Sequence, residues 1–165
     1  MTKRSRAGWS AVADPFTWQT IGVIAGALAV IDGAAPYFTD AGKRIDTEVR
    51  ALADADVYPR IVVIETEFAP ISRNKAATIG EQTILVEGVI PASKRDAEQT
   101  AHRLRADLLR ALGRITASTF ATLPPTVGIV NTFDIGPDCA IKRRVDGLDF
   151  TAAQVSVKLT CAVYA

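Results

Sequence analysis

Phe150-Thr-Ala-Ala-Gln-Val-Ser-Val-Lys-Leu-Thr-Cys-Ala-Val-Tyr164 alternates apolar and polar side chains for most of its length. Successive side chains of an extended chain point to opposite faces. The spacing therefore predicts a strand over residues 150–164, with Val155, Val157, Leu159, Cys161 and Val163 in a core. The other face, from Gln154 through Ser156 and Lys158 to Thr160, is polar with a single charge, and it meets either water or a partner. Such a strand needs neighbours, and the chain upstream is read for them.

Immediately before it, residues 127–135 are predicted as a strand, Gly136-Pro-Asp138 as a turn, and residues 139–145 as a short basic strand. Asp146-Gly147 is predicted as the tight turn into the last strand, because glycine supplies the positive φ such a turn requires. Further upstream, Arg60-Ile-Val-Val-Ile-Glu-Thr-Glu-Phe68 is rich in β-branched residues and predicts a strand. Residues 82–90 predict its hairpin partner, with Ile84, Val86 and Ile90 on one face. Pro70 and the polar stretch Ser72-Arg-Asn-Lys-Ala76 predict a connection of some ten residues with a basic tip, longer than the usual hairpin loop.

Between the two β regions lies the clearest helix. Ala97, Ala101, Leu104, Leu108, Ala111, Leu112 and Ile115 recur at spacings of three and four, a stripe that can lie on a sheet. Arg103, Asp107, Arg110 and Arg114 occupy the opposite face, and Ser93 with Asp96 has the spacing of a capping box. The N-terminal part is also helical in pattern. Asp14 and Pro15 resemble a start, residues 16–31 form a first helix ended by Asp32 and Gly33, and residues 39–55 form an amphipathic second helix around Ile45, Val49 and Leu52. Gly22 and Gly26 would allow close packing of the first helix on a neighbour. Residues 1–14 are basic and without period, and are expected to be a flexible arm preceding one α+β domain over residues 15–165.

The chain has 165 residues, enough for one core without staples. Its 19 basic residues against 18 acidic ones demand no polyanionic partner. The apolar run of residues 21–31 is too short to span a bilayer, and Asp14, Pro15 and Gln19 separate it from the basic start, against a secretory signal. No membrane partner is expected. Cys139 and Cys161 show no zinc spacing and are expected to be reduced thiols, a disulfide being the alternative if they face each other.

Catalytic constellations were sought and read against simpler explanations. His102 borders the buried stripe without a serine or cysteine at triad spacing. Glu65 and Glu67 fall on one face of an uninterrupted strand, a geometry for paired carboxylates, yet a solvated or subunit-facing surface explains them. Gly42-Lys43 lacks both the earlier glycine and the Ser or Thr of a phosphate loop. Three basic clusters, Lys3-Arg-Ser-Arg6, Arg73-Asn-Lys75 and Lys142-Arg-Arg144, would contact phosphate if an oligomer brought them together.

The order of a helical N-terminus, long hairpin with basic tip, amphipathic helix and β region ending in a long alternating strand resembles the tail terminator (tail completion) proteins of long-tailed bacteriophages. The carrying segments lie within residues 40–165: 60–68, 83–90, the helix of 93–115, and Asp146-Gly147 leading into Gln154-Val-Ser-Val-Lys-Leu-Thr-Cys-Ala-Val-Tyr164. The resemblance implies a homohexameric ring in the virion, without cofactor or catalysis. The ring would cap the tail tube at the head-proximal end of the tail, stop its polymerisation, meet the head connector or neck protein, and pass DNA through its lumen. Candidate contacts with a subunit or the tube are Ser72, Arg73, Asn74 and Lys75 of the hairpin, Lys142, Arg143 and Arg144, and Gln154, Ser156 and Lys158. A head-completion or connector protein, or a monomeric domain binding nucleic acid or peptide, is the alternative.

Overall fold

The computed structural model describes residues 14–48, 51–53, 56–146 and 148–164. It is α+β, a five-stranded sheet with two helices on one face. The final strand, β5 (Leu148–Tyr164), lies inside the sheet, in the order β1-β2-β3-β5-β4. Its neighbours are β3 (Ala77–Pro91) and β4 (Gly128–Asp146), both antiparallel to it, from Ala77↔Tyr164 to Pro91↔Phe150 on one side and from Gly128↔Val163 to Asp146↔Leu148 on the other. Val155, Val157, Leu159 and Cys161 are fully buried, while Val163 packs on the margin of the same cluster.

α2 (Ala97–Leu112) lies on this face, and all its stripe residues are buried. The glycine at 88 lets it approach closely: a Cβ there would stand 3.2 Å from that of Leu104. Asp107 departs from expectation. It is buried, and its carboxylate accepts hydrogen bonds from the backbone N–H of Phe38 (3.0 Å) and Thr39 (2.9 Å) and from the Thr39 hydroxyl (2.9 Å). The wet face of α2 therefore carries arginines while its aspartate anchors a loop. The expected capping box does not form either. Asp96 adopts a left-handed φ of 60° at the N-cap and makes no side-chain cap.

α1 (Phe16–Leu28) begins after Pro15 and ends three residues before the expected Ile31. A Cβ on Gly22 or Gly26 would meet nothing within 4 Å, so no neighbour uses the small-residue spacing. α1 is tied to the sheet by a polar cluster: the Thr20 hydroxyl donates to Gln82 Oε1 (2.8 Å), and Gln82 Nε2 donates to the Thr17 carbonyl (2.8 Å) and Glu65 Oε2 (2.6 Å). Gln82 is thereby buried with its amide satisfied.

Among the described residues the amphipathic helix expected over residues 39–55 is not formed; Val49, expected on its apolar side, lies outside them. In its place stand a 3-10 turn, Ala41–Lys43, and the two-residue β1 (Ile45–Asp46), parallel to the start of β2 (Arg60–Arg73). Ile45 packs on the main core whereas Leu52 packs on a second, smaller cluster with Val62, Val89 and Ala152 on the other face of the sheet. A helix would have put both on one side; the segment instead wraps the sheet edge. Arg60 clamps it by a bidentate pair to Asp46 (2.9 and 3.0 Å).

The hairpin is longer, and its connection shorter, than expected. β2 runs to Arg73 and β3 starts at Ala77, leaving only Asn74, Lys75 and Ala76 between them. Pro70 does not break β2, because beyond β1 this strand is an edge with no ladder hydrogen bond to lose on its outer side. Similarly, Gly136-Pro-Asp138 bulges from the edge strand β4 between Ile135↔Val157 and Cys139↔Val155, so two strands stand where three were expected. Gly147 and residues 1–13 of the arm expected over residues 1–14 lie outside the described residues.

Candidate assembly surface

The hairpin tip is shaped by Asn74, whose side-chain oxygen accepts the backbone N–H of both Ala76 and Ala77 (2.8 Å each), a turn closed by a side chain. Ser72 and Arg73 are thus the last residues of a strand, and Asn74 and Lys75 belong to the turn. Every residue from Pro70 to Ala76 is exposed. A register shift between Pro70 and Ser72 leaves Ile71 unpaired, and its side chain is 66% exposed. Arg73, Asn74 and Lys75 border an open hollow of about 670 Å³ closed on its other side by Val163 and Tyr164 at the end of β5.

Gln154, Ser156 and Lys158 stand on the sheet face turned away from the helices. Gln154 donates to the buried carboxylate of Glu87, Ser156 lies opposite Leu85, and Lys158 bonds Glu81 at 2.7 Å. The hydrogen bond and charge of Glu81, reinforced by Glu67 and Asp138, hold the Lys158 ammonium above the ordinary lysine range. Among the described residues this face is covered at one end, where Tyr58 meets the Phe150 ring at 5.8 Å and Leu52 joins the small cluster.

Lys142 and Arg143 are exposed on β4, and Arg143 pairs with Asp149. Arg144 pairs with Phe150 in the backbone ladder, and its side chain is outside the described set. The hairpin cluster and this one lie at opposite ends of the sheet: from Thr78 to Ile90 along β3 is roughly 40 Å. One protomer does not bring them together.

The carboxylates Glu65 and Glu67 are separated as well. The β2 bulge between them sets Glu65 opposite Ile84, on the helix side, and Glu67 opposite Thr83, on the bare face. His102 is exposed, 3.4 Å from Arg105. Gly42 has a packing role. Its N–H donates to Ile31 O, and a Cβ there would lie 2.5 Å from the Leu28 carbonyl oxygen. Both cysteines are free thiols in different pairs of the ladder, and burial, with the Glu65 charge, pushes that of Cys161 up to about 11. Among the described residues, no helix is long and apolar enough to cross a membrane.

No protein-family model matches the sequence, and no curated protein is significantly similar to it. Among solved structures, a chain in the virion of a native gene transfer agent particle superimposes with a TM-score of 0.51 at 15% identity, covering 95% of this chain and 100% of the other. The two share a fold. The likeness extends over nearly the whole of this chain.

Two features escaped the sequence reading. One is Ile71, which stands out only after the bulge is known, since an alternating pattern would have assigned it to a face. The other is the set of carboxylates on the bare face. Glu67, Glu81 and Asp134 are spread over three strands, and register shifts decide their side.

Proposed function

We propose that this chain is a structural protein of a phage-like virion, assembling as a hexameric ring that caps the tail tube and offers the joining surface to the head. The observation that carries the reading is the fold shared, end to end, with a chain of a gene transfer agent virion. Two local features support it. An exposed hairpin tip presents cations without ion pairs, and away from the cluster of Leu52 and Tyr58 one face of the sheet is left uncovered, both among the described residues. A ring needs two unlike surfaces on each subunit, because head-to-tail contacts must close on themselves. In this reading Ser72, Arg73, Asn74 and Lys75 belong to one such surface, Gln154, Ser156 and Lys158 to the other, and Lys142, Arg143 and Arg144 face the tube or neck. The role is assembly, not catalysis, at the head-proximal end of the tail.

The test is light scattering with electron microscopy of the purified chain, alone and mixed with purified tail tubes. Rings of hexameric mass seated on one end of the tubes, and arrested tube growth, are the expected result. A strictly monomeric chain at high concentration that leaves tubes growing would overturn the reading. Rings that bind heads and ignore tubes would replace it with a head-completion or connector role.

A further inference from the structure

The bare face of the sheet is uneven in charge. Register places Glu67, Glu81 and Asp134 on it, and Asp138 bulges from β4 close enough for its charge to act on Lys158. Lys158 is the single cation within this band. Two others that register sets on this face, Lys142 opposite Ala152 and Arg60 opposite Val89, stand six residues further along β5 and so roughly 20 Å away, and Arg60 is paired to Asp46. Glu67, Asp134 and Asp138 are exposed, and among the described residues no group of carboxylates is close enough to hold a metal ion. Beside them the face carries the short side chains of Thr83 and Ser156, with the apolar Leu85 opposite Ser156.

The hairpin tip is the complement of that band. Arg73 and Lys75 are exposed and make no ion pair among the described residues, and beside them Ile71 holds an isoleucine in water. Two arginines on the helix layer are differently placed: Arg110 donates to the Pro36 carbonyl under the Phe38 ring, and Arg114, just past α2, lies 5.9 Å from the Tyr37 ring centroid. Lys94, Arg95, Arg103 and Lys142 are also exposed without an ion pair among the described residues, and what sets the tip apart is the exposed Ile71 beside its two cations. The tip cannot reach the band of its own chain, because Glu81 and Thr83 lie on the same rigid hairpin that ends in Lys75.

We infer that the occupant of the bare sheet face is a second copy of this chain, whose hairpin tip sets Arg73 and Lys75 among Glu67, Glu81, Asp134 and Asp138 with Ile71 packed on the short side chains beside them. The contact is head-to-tail, with a projecting tip on one side and a receiving face on the other, so repetition generates a ring or a helix and not a closed pair. Its charges sit at a partly exposed rim, so it weakens with salt. The inference rests on the ring reading for its biological meaning, but the contact itself can be tested apart from any tube.

Equal amounts of ordinary and ¹⁵N-labelled protein are mixed and treated with a carbodiimide, which joins an amine to a carboxylate in direct contact. Mixed-isotope peptides linking Lys75 to Glu67, Glu81, Asp134 or Asp138 are the expected product, and they should fade as salt is raised. In parallel, the R73E/K75E variant should lose the oligomer, and combining it with E67K/E81K should restore it. Light scattering reads both, and an unchanged melting curve shows that the variants fold. Rings whose cross-links lie elsewhere, or that survive R73E/K75E, overturn this contact and leave the ring reading standing. A chain that stays monomeric and gives no mixed-isotope link overturns both.

Discussion

Asp107 shows how one side chain can carry a loop. Its carboxylate satisfies two backbone N–H groups and a hydroxyl in a site closed to water. Replacing it with alanine strands those donors, and about 3 kcal/mol of stability should be lost in a urea titration. Tyr37 has the opposite character: its hydroxyl is buried without a hydrogen-bond partner among the described residues. Tyr37→Phe should therefore leave stability unchanged or raise it by up to ~1 kcal/mol, read from the same titration. Cys161 adds a pH dependence. Its folded thiol titrates near 11 against 9.0 for an unhindered one, so the folded chain holds the proton that the unfolded chain releases. Stability must then fall as pH rises from about 9 towards 11, and a Cys161→Ala variant should show a shallower decline over that window. At neutral pH the native thiol should resist alkylation until the protein is unfolded. Of these three residues the sequence reading identified the core position of Cys161, because alternation is local. It misplaced Asp107, since helical spacing sets that residue at the margin of the stripe and only the loop above it decides which way it counts.

At the scale of elements, α2 and β5 were legible, because a period sustained over many residues leaves little room for a competing structure. The segment of residues 39–55 was not. Its apolar residues fit a helix, but they serve two clusters on opposite faces of the sheet, a demand that comes from outside the segment. The same holds for Pro70 and Pro137, which read as stops and sit within edge strands. Gly42 ties this segment to the end of α1. Gly42→Ala would push a methyl to 2.5 Å from one backbone oxygen and 2.7 Å from another, neither of which can swing aside. A loss of about 2 kcal/mol or more, with the helical signal retained, is the expected outcome by circular dichroism.

For the whole molecule, the sheet order β1-β2-β3-β5-β4 could not be read locally, because β3 meets β5 across α2 and β4. What did carry over was the expectation of an α+β chain with a hairpin at one end. Since residues 70–76 are exposed, the I71S/R73S/K75S variant should leave the melting temperature nearly unchanged, while light scattering should read a monomer where the proposed self-contact would give an oligomer.

The bulges of the two edge strands have a consequence for the chain in concentrated solution. On β2 they cut the free ladder into the runs 63–65, 67–70 and 72–73, and on β4 into 128–130, 132–135 and 139–146. All but the last are shorter than the six or seven residues a stacked fibre strand requires. The last contains Lys142, Arg143 and Arg144, whose like charges repel a copy aligned beside them. Edge-to-edge stacking of the folded chain is thereby disfavoured along both margins.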